Sequence, residues 1–71
     1  MNVSSRQVEK LLLGQYVFKQ FSFSMFLTRL KNDYAAAPTK ENLEHCVSEI
    51  NMFLAKYQAI MADDYASMQN I

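Results

Sequence analysis

Residues 11–30, LLLGQYVFKQFSFSMFLTRL, decide how the rest of the chain must be arranged. Counted as a helix at about 100° per residue, the stretch and its flanks are apolar on two faces. Val8, Leu12, Tyr16, Phe23, Phe26, Leu27, Leu30 and Tyr34 share one arc. Leu11, Phe18, Phe21 and Met25 share a second, with Gly14 projecting from its middle. Gln15, Ser22 and Asp33 separate the arcs on one side, and Gln20, Ser24 and Lys31 on the other. Strand alternation fits poorly, because Leu11-Leu12-Leu13 and Tyr16-Val17-Phe18 run together.

Upstream, Ser4-Ser5-Arg6-Gln7 fits a capping box, with Val3 and Val8 placed as a hydrophobic staple. The first helix is therefore expected over residues 5–33. Gly14 costs about 1 kcal/mol inside a helix relative to Ala. It is either a break that leaves a short N-terminal helical segment, or a point where another backbone approaches closely. Residues 34–39 form the link, because Pro38 cannot continue a helix and biases Ala37 away from helical geometry. Thr39 then caps a second helix, expected over 40–68. Its stripe is Leu43, Cys46, Val47, Ile50, Phe53, Leu54, Tyr57, Met61, Tyr65 and Met68. The expected fold is all-α: one domain, residues 1–71, built as an antiparallel two-helix hairpin.

A chain of 71 residues buries little of its surface and usually needs a staple. Cys46 is the only cysteine and His45 the only histidine, so neither an internal disulfide nor a zinc site is expected. Association is the staple left. Seven basic and seven acidic side chains cancel, which argues against a nucleic-acid partner held through phosphates. Basic residues gather before Ala36 and acidic ones after it, an arrangement that favours folding back. No run reaches the roughly 18 apolar residues of a membrane span. Glu9 and Lys10 before the leucine run argue against a signal peptide, and a lone thiol suits the cytoplasm.

No group of residues announces a chemistry, so no catalytic, cofactor or metal site is expected, and no cofactor. His45 and Cys46 are adjacent, so on a helix they diverge and cannot act as base and nucleophile. Asp63-Asp64 diverge likewise and read as a solvated helix end. The arc of Leu11, Gly14, Phe18, Phe21 and Met25 is the candidate partner-binding face, because one second helix cannot cover both arcs and exposed aromatic patches mark interfaces.

Leu30-Lys31-Asn32-Asp33, the Pro38-Thr39-Lys40 link and the stripe Leu43, Val47, Ile50, Leu54, Tyr57, Ile60 and Met61 together carry a resemblance. The layout resembles the small E-type co-chaperones of the type III secretion needle subunit. That resemblance implies a cytoplasmic, non-catalytic adaptor that pairs with a helical-repeat chaperone to hold a secreted needle subunit. The alternative is a homodimeric four-helix bundle of structural or regulatory character.

Overall fold

The computed structural model describes residues 2–71, and among them the chain forms four helices and no strands. The first, α1 (Ser5–Leu12), starts as its sequence dictates. The Gln7 amide N–H donates to Ser4 Oγ at 3.2 Å, and the Ser4 N–H donates to Gln7 Oε1 at 2.9 Å. Val3 and Val8, on either side of this box, are both buried.

Of the two readings of Gly14 the break holds: a short N-terminal helix forms and the continuous helix over 5–33 does not. Its break is Gly14, with φ of +79°, in the left-handed region that favours glycine. The Gly14 N–H donates to the Leu11 carbonyl and the Gln15 N–H to the Lys10 carbonyl, each at 3.1 Å. Those two bonds make a Schellman motif, which satisfies carbonyls the helix end would otherwise leave unpaired. Nothing lies within 4 Å of a Cβ built on Gly14, so its need is conformational and not one of close approach. Residues 15–20 then run without helical structure, and α2 (Phe21–Ala36) begins.

The physical reason lies in length and cover. A straight helix of 29 residues would measure about 43 Å, whereas the longest dimension of the molecule is 31 Å. Turning at Gly14 also buries Leu11, which a straight helix would leave on the uncovered arc.

The link is shorter than expected, because α2 continues to Ala36 and α3 (Lys40–Lys56) opens directly after Thr39. Thr39 Oγ1 accepts from the Asn42 N–H at 3.1 Å, as an N-cap should. The Asn42 side-chain amide donates to the carbonyls of Asp33 and Ala37, both at 2.9 Å, and so closes the end of α2. At their far ends, the Phe53 ring on α3 meets Phe23 and Phe26 on α2. The two helices therefore run antiparallel.

The expected second helix, 40–68, is also divided. Tyr57 leaves helical geometry at φ −116° and ψ 31°, and α4 (Gln58–Met68) continues at a new angle. Neither Gly nor Pro marks this bend. Beyond it Met61, Asp64 and Met68 are buried, the two methionines on the expected stripe and Asp64 off it.

The buried side chains form one cluster: Val3, Val8, Leu11 and Leu12; Phe23, Leu27 and Leu30; Cys46, Ile50 and Leu54; Met61 and Met68. Rings extend it in a chain, with Tyr16 edge-on to Phe18 and Phe18 edge-on to Phe23, each pair 4.7 Å apart. The N-terminal lead-in is tied to this body by side chains. Asn51 accepts from the Val3 N–H at 2.7 Å and donates to its carbonyl at 3.2 Å. Tyr65 donates its hydroxyl to the Asn2 carbonyl at 3.0 Å.

Asp64 corrects the reading of Asp63-Asp64 as a solvated end. Its side chain is 1% exposed. The Lys19 N–H donates to Oδ1 and the Gln20 N–H to Oδ2, each at 3.0 Å. Gln20, the N-cap of α2, makes no side-chain capping bond of its own. A carboxylate from α4 thus occupies the positive end of α2, where an anion is favoured.

Charge separation along the chain does not translate into ion pairs. Among the described residues one such contact occurs, His45 Nε2 to Glu49 Oε1 at 4.0 Å on the exposed side of α3. Burial of apolar surface holds the helices together.

Candidate interaction surface

The break at Gly14 distributes the five expected partner-binding residues over different surroundings. Leu11 is fully buried inside α1's packing face. Gly14 sits in the exposed turn. Phe18 is half-buried against the core, edge-on to Tyr16 and Phe23. Phe21 and Met25 remain outside, 78% and 58% exposed. The premise that these residues share one helix face therefore does not hold, and what remains of the arc is the pair on the first turns of α2.

Phe21 and Met25 are four residues apart, so they project from α2 on one side. They are joined in the same region of sequence by two residues that helical counting assigned to neither arc. Leu13, at the end of α1, is 63% exposed, and Val17, in the non-helical segment, is 87% exposed. The run of apolar residues at 11–13 and 16–18 was visible in the sequence. Which members point outward depended on the backbone leaving helical geometry at Gly14.

A second apolar feature lies where α2 and α3 meet. Phe26 from α2 and Glu49, Met52, Phe53, Lys56 and Tyr57 from α3 line a groove of about 240 Å³. Its floor is aromatic: the Phe26 and Phe53 rings stack at 4.9 Å with 20° between planes, and Phe53 meets Tyr57 at 4.7 Å. Cations cover two of these rings. The Arg29 guanidinium lies 5.7 Å from the Phe26 centroid and the Lys56 ammonium 5.3 Å from that of Tyr57. Met52 stands 64% exposed at the groove.

Among the described residues no buried side-chain nitrogen or oxygen lacks a hydrogen-bond partner. Cys46 is fully buried on the inner side of α3, while His45 is exposed. Burial pushes the Cys46 thiol above its ordinary range, and the nearby carboxylates of Asp33 and Glu49 add to that rise. A thiol in this state is a poor nucleophile. Among the described residues no group of three or more His, Cys, Asp or Glu converges as metal ligands, and no helix is long and apolar enough to cross a membrane. What these features leave at the surface is exposed apolar side chains, with cations over two of the groove's rings. No family model, no curated protein and no solved structure matches the chain.

Proposed function

We propose that this chain is a non-catalytic helical adaptor of the cytoplasm that docks a partner protein onto the surface formed by Phe21, Met25, Val17 and Leu13. One observation carries the reading. Among the described residues seven large apolar side chains stand exposed, and these four of them come from a single 13-residue stretch. Exposed apolar residues gathered in this way are the usual mark of an interface. A partner's amphipathic helix is the natural occupant, since Phe21 and Met25 offer i, i+4 anchors along α2. The lone reduced thiol of Cys46 suits the same compartment.

The specific form of the proposal is a co-chaperone that, with a helical-repeat chaperone, keeps a type III secretion needle subunit from polymerising. The antiparallel run of α2 and α3 around Pro38 supports it, as does the spare apolar surface.

The double substitution Phe21→Ser with Met25→Ser tests the general reading. Neither residue packs in the core, so helicity and melting temperature should stay near those of wild type, whereas partner capture by the tagged chain should be lost. Retention of every captured protein by the variant would refute the surface assignment. For the specific form, co-expression with a needle subunit and its chaperone should give a soluble complex with wild type and none with the variant. Failure of wild type to join that complex would end the specific form alone.

A further inference from the structure

The geometry points to a second interface, distinct from the Phe21–Met25 surface: the α2–α3 groove receives the same groove of a second copy, with α3 packed antiparallel on α3 about a two-fold axis. The reason is a self-complementary arrangement of charge. Glu49 and Lys56 both line the groove, and between them lie Met52 and Phe53. Glu49 and Lys56 are seven residues apart, two helical turns or about 10 Å along α3.

A two-fold interface requires that whatever residue i meets in the second copy, that residue in turn meets i. Place the axis between Met52 and Phe53, at the midpoint of the four residues. Glu49 of each copy then faces Lys56 of the other, so two opposite-charge pairs form at once. At the centre, Met52 of each copy faces Phe53 of the other, a thioether against a ring. A groove with two acids, or two bases, in these places would repel its own image. This one attracts it, and its exposed methionine supplies the knob that fills the opposite groove.

The occupant is therefore a second copy of this chain. The groove is only about 240 Å³ and is flanked by charge, so the dimer should be reversible, with dissociation at roughly 10–100 µM, at the weak end of protein pairing.

Sedimentation velocity over a concentration series tests the pairing, with Glu49→Lys and Lys56→Glu as the variants. Lys56 is exposed and the Glu49 side chain is 39% exposed, and circular dichroism would verify that each variant is folded. Wild type should pass from monomer to dimer as concentration rises. Each variant alone sets like charges opposite each other twice and should dimerise at least about tenfold more weakly. Mixed in equal amounts, the two variants restore both opposite-charge pairs and should form a heterodimer of near wild-type strength. Met52→Lys should leave the monomer folded and abolish the dimer. A wild-type chain that stays monomeric to about 1 mM would overturn the inference. So would variants that dimerise like wild type, a mixture with no gain over its components, or binding in the groove of an unrelated amphipathic peptide with no self-association. The Phe21→Ser, Met25→Ser variant should dimerise like wild type, which separates the failure of this interface from the failure of the adaptor surface.

Discussion

Replacing Asp64 by Ala removes the carboxylate through which α4 accepts hydrogen bonds at the start of α2. Two backbone donors, the N–H groups of Lys19 and Gln20, each lose an acceptor at 3.0 Å. A hydrogen bond to a charged group contributes about 1.5–3 kcal/mol, and a donor left unpaired in the interior costs a comparable amount. Lys19 is exposed and Gln20 half-buried, so water reaches the freed amides in part. The Tyr16 hydroxyl, at 3.5 Å from Oδ1, adds little. The loss should therefore lie near the low end, about 3 kcal/mol. For a chain of this size total stability is roughly 4–10 kcal/mol, so the variant gives up a large share of it. Its melting temperature should fall by about 12–24 °C. Urea titration followed by far-ultraviolet circular dichroism gives the number, and Asp63→Ala, at the exposed neighbouring position, is the control. Asp63→Ala should remain within about 0.5 kcal/mol of wild type. Equal stability of the two variants would refute the tether.

At Gly14 the cost of a side chain is set by φ alone, since the space around it is open. Gly14→Ala should lose about 1–2 kcal/mol and Gly14→Asn less, because Asn tolerates the left-handed region, and thermal melts rank the two. Phe18→Ser removes a ring that lies edge-on to both Tyr16 and Phe23, and should cost about 2–3 kcal/mol in urea titration, whereas Phe21→Ser should cost almost nothing. The Cys46 thiol is held above its ordinary value of 9.0 by burial, so it stays protonated in the folded chain after it has begun to ionise in the unfolded one. The stability it contributes is present below that value and is lost as pH rises beyond it. The wild-type chain should therefore lose stability more steeply in the alkaline range than Cys46→Val does, and paired urea titrations across that range measure the difference.

The local signals in the sequence were reliable wherever the partner of a group lay within a few residues. Ser4 with Gln7, and Thr39 with Asn42, cap their helices as the residue types require. The core was also legible as periodicity. Val8, Leu12, Phe23, Leu27 and Leu30 on the first arc are buried, as are Cys46, Ile50, Leu54, Met61 and Met68 on the second stripe. These positions keep their helical spacing within each segment, so a break between segments leaves them facing inward. The candidate surface was only partly legible. Phe21 and Met25 were on the expected arc and are exposed, but Leu11 and Phe18 were on it too and turn toward the interior. Periodic counting carries a face through a helix, and it loses the face once the backbone changes direction.

Composition, spacing and capping residues by themselves determined an all-helical chain, its helix starts at Ser5 and Lys40, and most of the apolar residues that face inward. These features follow from bonds and burial preferences that act over one or two turns. Only the tertiary structure decided that Gly14 ends a helix, that Tyr57 bends another, and that Asp64 is an internal anchor. The last of these depends on groups far away in sequence. A carboxylate on α4 meets amides 44 and 45 residues earlier, and no local pattern can record a partner that distant.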